Sequence, residues 1–303
     1  MRSYGVPVRT DDVIWSTRGG AYIALTSMAD RQVYQRNAET GTGTVALTGT
    51  AEGAAGLRWR VVSWDDGDDV IHAWTETPVT DGGFSADFTV PQGGWYKLKV
   101  RALDGAGEVL GEAEGTHKWG VGINILCIGQ SNMVGQAPER PCTAANDLVA
   151  NYTRSGNWTH LVDPYDGAGG SMTPALGNAL VEKLGIPVGF IPAADSGSGL
   201  HAVWNQGETD GAISVAKETY ESDMKTLLSR LRKDLDNPEL PIFLCQIGTH
   251  NPNISDDAAY TAIRSAQHDL DDGENFFLAA TEMEFARKDT AHYRKAGMDE
   301  IGR

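Results

Sequence analysis

Hydrophobic and polar residues alternate along the first part of the chain, up to about residue 118. The alternating runs are short and are separated by turns rich in Gly and Asp, such as DDGDD and TDGG. A period of two with regularly spaced turns is typical of antiparallel strands that bury one face. We therefore predict that residues 1–118 form a small antiparallel β-sandwich, with strands in TVALTGT, LRWRVVSW, FSADFTV and WYKLKVRAL.

From residue 119 onward, uninterrupted apolar runs alternate with segments of helical periodicity. Continuous apolar strands are expected where helices cover both faces of a parallel sheet. The alternation indicates a three-layer α/β domain with a mainly parallel sheet over residues 119–303. The predicted strands are Val121–Ile128, Val188–Pro192, Leu200–Trp204, Pro241–Gly248 and Phe276–Thr281, and the predicted helices are Pro174–Leu184, Ile213–Leu235 and one beginning after Ser255.

One connection in this pattern is unusually short. About eight residues separate the strand ending near Pro192 from the strand starting near Leu200, whereas adjacent parallel strands need a crossover of about a dozen residues or more. Either these two strands are joined in an unusual way, or a segment is absent from the chain at this point.

Charge and composition exclude some classes of function. The net charge is −16, with 41 acidic against 25 basic residues, which argues against binding of a phosphate backbone as the main task. No apolar run approaches the roughly 18 residues of a membrane-spanning helix. We therefore expect no nucleic-acid partner and no membrane partner. The N-terminus lacks the apolar core of a secretory signal.

The first α/β strand leads into the stretch CIGQSNMVG, which places Ser131 just past the carboxyl end of the strand. Ligands of open α/β sheets bind at this edge. A serine nucleophile needs a base, and the base needs an orienting group. His292 in DTAHY is the candidate base, and Asp289, three residues earlier, could orient it. Taken alone, such a pair is more often part of a surface loop.

A third polar segment, WNQGETD, also begins where an apolar strand ends. Gln206 could donate an amide N–H to a developing oxyanion. Glu208 could hold the backbone of the site or assist the histidine. Because the carboxyl ends of parallel strands meet at one edge, we expect the three segments to converge on one crevice.

GQSNM, WxQGExD and DxxHY, in this order, resemble the SGNH hydrolases and, among them, the sialate O-acetylesterase-like carbohydrate esterases, also grouped with acetylxylan esterases. The resemblance covers about residues 119–303. It implies a flavodoxin-like αβα fold, removal of acetyl groups from sugar hydroxyls, and no metal or organic cofactor. It makes Ser131 the nucleophile, His292 the general base and then acid, and Asp289 its orienter, with Glu208 as a second candidate for that role. The N-terminal part looks, more loosely, like the β-sandwich that precedes the catalytic domain in some of these esterases.

The oxyanion formed by attack on the acetyl carbonyl needs fixed N–H donors, each worth about 3 kcal/mol. The candidates are the backbone N–H of Ser131, the side chain of Gln206 and a glycine N–H from the second block of the family. Gly197 is the preferred glycine and Gly199 the second choice, because the short connection after Pro192 disturbs this block.

Three further residues are candidates for contact with substrate. Trp158 lies in a predicted long loop, residues 151–171, whose aromatic side chains could stack on sugars; a packed surface loop is the alternative. His250 follows the strand ending in CQIG, at the active edge, although a lone histidine is more often peripheral. Arg140 could touch substrate, although a solvated arginine is the simpler interpretation.

The sequence thus predicts a serine O-acetylesterase whose partner is an acetylated carbohydrate. This substrate class favours an extracellular or particle-associated location, and the oligomeric state is not predicted. A non-catalytic glycan-binding or particle-surface module is the first alternative, which the intact set of Ser131, Asp289 and His292 disfavours. An esterase or thioesterase acting on lipids is the second, weakened by the lack of an evident apolar lid.

Overall fold

The computed structural model describes residues 13–16, 21–129, 131–138, 142–164, 169–193, 203–235, 237–248, 257–282, 285 and 292–302, and for residues 13–16 the backbone alone. The chain divides into two compact units. The first comprises Met1–Asn124, Asp147–His160 and Val181–Gly189, and the second comprises Ile125–Asn146, Leu161–Leu180 and Phe190–Arg303. The predicted domain boundary at residues 118/119 stays a prediction.

The first unit is built from antiparallel strands. Strands β1, β2, β4 and β7 form one sheet in that order, and β6, β5, β8 and β9 pair as a second set. The beginning of β10 pairs with β3 and β8. The strands are β1 Val13–Ser16, β2 Tyr22–Leu25, β3 Val33–Gln35, β4 Thr42–Glu52, β5 Gly56–Ser63, β6 Val70–Pro78, β7 Gly83–Pro91, β8 Gly93–Leu103, β9 Val109–Glu114 and β10 Trp119–Gly129.

Both sets of strands contribute to one hydrophobic core. In β5, for example, Leu57, Trp59 and Val61 are buried while Arg58 and Arg60 between them remain partly exposed. The indole Nε1 of Trp59 donates to the Thr77 hydroxyl at 2.9 Å, so its polar edge is satisfied inside the core. The period-two pattern of the sequence is therefore present as alternating inward and outward side chains.

The predicted loop over residues 151–171 begins instead as a hairpin. Strands β11 Val149–Tyr152 and β12 Trp158–His160 pair antiparallel. The turn between them is closed by backbone bonds between Thr153 and Asn157 (2.8 Å) and between Gly156 and Thr153 (2.9 Å), with Gly156 at φ +87°. The Ser-Gly-Asn sequence, which is typical of turns, could have indicated this hairpin.

The second unit contains the parallel pairing that the apolar runs predicted. Strand β10 pairs parallel with β14, β14 with β15, and β15 with β16. The remaining strands are β13 Val188–Pro192, β14 Val203–Asn205, β15 Ile242–Gln246 and β16 Phe276–Thr281, and the helices are α1 Ser131–Val134, α2 Thr173–Leu184, α3 Glu208–Ala212, α4 Lys217–Asp234, α5 Ala258–Leu270 and α6 Lys295–Ile301.

Helices α4 and α5 pack on strands β14 to β16 around a common core. Met224 and Leu228 of α4 and Ile263 of α5 are buried against Ile242 and Leu244 of β15. The predicted helix Ile213–Leu235 is divided here: α4 begins at Lys217, Ser214 adopts φ +58°, and Ile213 is 69 % exposed. No helix in the described part of the chain has the length and hydropathy needed to cross a bilayer.

The short connection after Pro192 joins strands that are not neighbours. In the sheet, β10 lies between β13 and β14. The requirement of about a dozen residues applies to adjacent parallel strands, and β13 and β14 flank β10 instead of pairing with each other. Residues 194–202, which contain most of the connection, lie outside the described residues.

Candidate active site

The end of β10, where the backbone turns sharply, forms one side of the candidate site. Gly129 has φ +145°, and a side chain there would approach the carbonyl oxygen of Asn205 to 2.3 Å. Both facts require glycine at this position. Helix α1 follows at once, and Ser131 is its first residue and half-buried. The predicted nucleophile therefore lies at the carboxyl end of the strand.

The buried side chain of Asn132 connects the three polar segments that the sequence singled out. Its Nδ2 donates to Oε1 of Glu208 at 3.0 Å, and its Oδ1 accepts the backbone N–H of Tyr293 at 3.4 Å. Asn132 is 1 % exposed and Tyr293 is fully buried. His292 directly precedes Tyr293, so this amide holds the segments of Ser131, Glu208 and His292 together.

Glu208 is the first residue of α3 and is only 5 % exposed. A carboxylate is favoured at the first turn of a helix because the helix dipole is positive there. The preceding residue, Gly207, has φ +148°, and a side chain on it would meet Ile263 at 2.9 Å and Ile247 at 3.1 Å. The close packing of this turn against β15 and α5 fixes the direction in which Glu208 leaves it.

The carbonyl oxygen of Gln206 fixes the same turn by accepting three hydrogen bonds from side chains. It accepts hydrogen bonds from the Trp204 indole at 2.8 Å, from the Gln267 amide at 2.9 Å and from the Tyr220 hydroxyl at 3.2 Å. Gln267 is fully buried and also accepts the N–H of Ile247 at 3.0 Å. Burial raises the pKa of Tyr220 far above its ordinary value, so its hydroxyl remains a donor. Helices α4 and α5 therefore position this loop through buried polar contacts.

The side chain of Gln206, a predicted oxyanion donor, bonds within its own segment. Its Nε2 donates to Oδ2 of Asp210 in α3. Burial raises the pKa of Asp210, and this hydrogen bond opposes the rise. The contact orients the Gln206 amide from one side, and its role toward an oxyanion stays a prediction.

A second buried pair of amide and carboxylate joins the ends of β14 and β16. Nδ2 of Asn205 donates to Oε1 of Glu282 at 2.6 Å, and both residues are fully buried. Burial raises the pKa of Cys245 well above its ordinary value, with further increases from Glu282 and Glu208. The Cys245 thiol therefore stays protonated and is not a competing nucleophile.

Sequence reasoning missed the roles of Asn132, Asn205, Glu282 and Gln267. Glu282 directly follows strand β16, so the rule that polar residues after strand ends line the site would have found it. Asn132 lies in the opening stretch of the site but showed no partner along the chain. Gln267 lies inside a helix, where no local pattern separates a buried glutamine from an exposed one.

A third polar cluster fixes the stretch before α2. Both carboxylate oxygens of the buried Asp163 accept from Ser171, at 3.0 Å from its N–H and 2.6 Å from its hydroxyl. Nζ of Lys295 in α6 donates to the Ser171 carbonyl at 3.2 Å and pairs with Asp299. Burial raises the pKa of Asp163, and its bonds to Ser171 counter part of that effect. This cluster joins the helix that follows His292 to the rest of the second unit.

Several predicted site residues lie outside the described residues: Asp289, Gly197, Gly199, His250 and Arg140. Trp158 is described and belongs to the first unit. Its ring lies 5.3 Å from that of Tyr152, and it packs on a cluster formed by Val33, Trp95 and Ala150. Its contact with substrate stays a prediction, as do the roles of the other five.

Residues 200–303 match the family model described as SASA, the carbohydrate esterases of the sialic acid-specific acetylesterase type. This part of the chain resembles a carbohydrate esterase. The predicted resemblance to carbohydrate esterases of this type is thereby confirmed; the match includes Glu208 and His292 and begins after Ser131. Among curated protein sequences, none matches the chain.

One solved structure supports the mixed α/β fold. A carbohydrate acetylesterase from Xanthomonas citri superposes with a TM-score of 0.59 at 18 % identity, over 91 % of this chain and 71 % of that protein. At this identity the likeness shows the fold alone, which confirms the mixed α/β class with extensive sheet. A protein from Arabidopsis thaliana gives a TM-score of 0.47 at 20 % identity, over 59 % of this chain and 94 % of that protein, and carries no argument.

Proposed function

We propose that this protein is a carbohydrate esterase that removes O-acetyl groups from sugars or polysaccharides through a serine nucleophile. The observation that carries the proposal is the buried Asn132. Its side-chain amide forms hydrogen bonds with Glu208 and with the backbone next to His292. The neighbouring residue, Ser131, is the first residue of α1. A buried amide that satisfies both its donor and its acceptor across three segments holds them in one arrangement.

The proposed architecture is the one the motifs imply. Residues 119–303 would form a three-layer, flavodoxin-like SGNH domain, and residues 1–118 a β-sandwich. The parallel pairing of β10, β14, β15 and β16 supports the former. The core shared by two antiparallel sets of strands supports the latter.

In the proposed mechanism, Ser131 Oγ attacks the acetyl carbonyl while His292 takes its proton. The tetrahedral intermediate collapses when His292 gives that proton to the departing sugar oxygen, which leaves an acetyl-serine. Water, activated by the same histidine, then attacks the acetyl-serine and releases acetate. Asp289 orients the imidazole, with Glu208 as the second candidate; Glu208 is already fixed by Asn132 and by the first turn of α3.

The proposed oxyanion donors are the Ser131 N–H, the Gly197 N–H and the Gln206 side chain. A primary amide carries two N–H groups. The bond to Asp210 uses one of them and orients the other. Each such donor contributes about 3 kcal/mol of transition-state stabilisation.

The test is acetate release from 4-nitrophenyl acetate and from acetylated polysaccharides by the parent protein and by Ser131→Ala. We expect the variant to lose about three orders of magnitude or more in kcat. Ser229→Ala, on the exposed side of α4, is the matched control and should keep the parent rate. A parent protein without activity on every ester, or a folded Ser131→Ala variant with the parent rate, would overturn the proposal.

A further inference from the structure

The outer face of strands β5, β6, β8 and β9 in the first unit concentrates basic residues. Between Arg36 and Lys118 the chain contains only five, and all of them alternate with buried residues on this one face. They are Arg58 and Arg60 on β5, and Lys97, Lys99 and Arg101 on β8. In a protein with a net charge of −16, such a grouping calls for a physical reason.

The register of β5 and β8 places these charges directly opposite one another. Arg58 faces Arg101, and Arg60 faces Lys99. Like charges opposite each other across strands destabilise a sheet. For the facing pair Arg58 and Arg101, an acidic residue on each flanking strand offsets the repulsion. Glu76 of β6 pairs with Arg58 at 2.5 Å, and Glu112 of β9 pairs with Arg101 at 2.6 Å.

In the second facing pair, Arg60 and Lys99, only Lys99 has an acidic partner among the residues that the structure describes. Lys99 pairs with Glu114 at 2.9 Å, but Lys97 shares that carboxylate at 3.1 Å. Glu114 therefore serves two ammonium groups, which lower its pKa. Within the described chain, Arg60 forms no ion pair, and its Nε is buried without a hydrogen-bond partner.

Next to Arg60, strand β6 presents Trp74 instead of an acid. The Arg60 guanidinium lies 4.9 Å from the Trp74 ring centre and that of Arg101 lies 4.4 Å from it. Stacking of this kind pre-organises a guanidinium and leaves the N–H groups in its plane available for hydrogen bonds. Arg60, Trp74, Lys99 and Arg101 line a cavity of about 230 Å³ together with Glu112 and Glu114.

We propose that this face is a binding site for a carboxylate-bearing polysaccharide, with Arg60 as the principal ligand of the carboxylate. A guanidinium binds a carboxylate through two parallel hydrogen bonds, and such an anion would give Arg60 the ion pair that it lacks within the described chain. The anionic group follows from the charge pattern, whereas the choice of a carbohydrate rests on the proposed esterase function.

Three acidic residues, Glu76, Glu112 and Glu114, lie among the five basic ones on this face. The turn 65–69, which carries four aspartates, comes close to Lys97 and Lys99 at Gly67. A phosphate backbone carries a charge on every nucleotide, and such a polymer is repelled by interspersed carboxylates and by the net charge of the protein. A polysaccharide also carries hydroxyl groups, which can donate hydrogen bonds to the interspersed carboxylates, whereas the phosphates of DNA only accept them. Nucleic acid is therefore a competing outcome of the test.

The test measures binding by affinity electrophoresis and titration calorimetry of the full chain with polygalacturonate, neutral dextran and double-stranded DNA, at low and high salt. We expect polygalacturonate to bind at least tenfold more tightly than the other two and to weaken as salt rises. Arg60→Glu should reduce its affinity at least tenfold, and Arg60→Gln about threefold or more. Arg230→Gln, which removes an exposed arginine on α4, should leave binding unchanged.

Hydrolysis of 4-nitrophenyl acetate separates this proposal from the proposed function. If the Arg60 variants keep the parent esterase rate and lose polygalacturonate binding, both proposals stand. If the parent binds polygalacturonate through Arg60 but releases no acetate, the binding site stands and the esterase function fails. No polygalacturonate binding by the parent, unchanged affinity in a folded Arg60→Gln variant, or equal binding of DNA would overturn the site.

Discussion

Replacement of Asn132 tests whether one buried amide holds the candidate active site together. Asn132→Ala removes the 3.0 Å hydrogen bond to the Glu208 carboxylate, and a bond to a charged group contributes about 1.5–3 kcal/mol. It also removes the acceptor of the buried Tyr293 N–H, which costs about 1 kcal/mol when the lost bond is as long as 3.4 Å. We therefore expect the free energy of unfolding to fall by about 3 kcal/mol, a large part of the 5–15 kcal/mol typical of a protein.

Asn132→Asp separates the two contacts, because an aspartate keeps the acceptor for Tyr293 and loses the donor to Glu208. It places a second carboxylate about 3 Å from the first, and because two carboxylates at such a distance cannot both ionise easily, the pKa of one of them rises strongly. A folded-state pKa above the unfolded value means that the folded state binds the proton more tightly. The variant should therefore be least stable near pH 7 and should regain stability as the pH falls toward about 5. Asn132→Ala only removes a donor from the buried Glu208 carboxylate, which raises its pKa less than a second carboxylate does, so this variant should recover to a smaller extent.

Urea unfolding followed by far-UV circular dichroism and tryptophan fluorescence measures both effects as shifts in the midpoint at constant slope. Asn157→Ala, in the exposed turn of the β11–β12 hairpin, is the control and should change stability by less than about 0.5 kcal/mol. The reasoning is refuted if Asn132→Ala is as stable as this control, or if the pH profiles of the two Asn132 variants are parallel.

Two further predictions concern backbone geometry and charge. Gly129→Ala should lose about 2–4 kcal/mol of stability in thermal unfolding, because its side chain would lie 2.3 Å from the Asn205 carbonyl at φ +145°; a loss below about 0.5 kcal/mol would contradict the geometry. Burial acts to raise the pKa of Asp147, but hydrogen bonds from Lys118 and Arg31 outweigh it and lower the pKa to about 2. Because its side chain is 56 % exposed, we expect Asp147→Asn to cost only about 1 kcal/mol at pH 7. This difference should be complete above the ordinary pKa of aspartate and vanish as the pH falls through about 2, as measured by urea unfolding across pH; a constant difference would contradict the assignment.

Elements with a continuous apolar run could be predicted closely from the sequence. The strands predicted at Val188–Pro192 and Phe276–Thr281 have those bounds in the structure, because each is a short apolar run without a polar residue inside it, bounded by polar or turn-forming residues. The helix predicted to start at Ile213 was wrong at that end. Its apolar period extended into Ile213, but Ser214 takes a left-handed conformation and separates α3 from α4, and helix boundaries are poorly specified by periodicity.

The candidate site could be predicted in part for a related reason. Whether a residue follows the end of a strand can be read from its own stretch of sequence. Ser131 and Glu208 could therefore be placed at the carboxyl edge of the sheet from local patterns alone. The contacts that hold them depend on segments far apart in sequence: Asn132 reaches Tyr293, and Gln267 reaches the Gln206 carbonyl across 61 positions. Both residues are amides, which donate and accept at once, and both are buried where an unsatisfied amide would be costly. In this part of the chain, amide side chains from other elements fix the geometry of the loops. Which residues become partners is decided by how the strands and helices pack in three dimensions, and local sequence patterns do not contain that information.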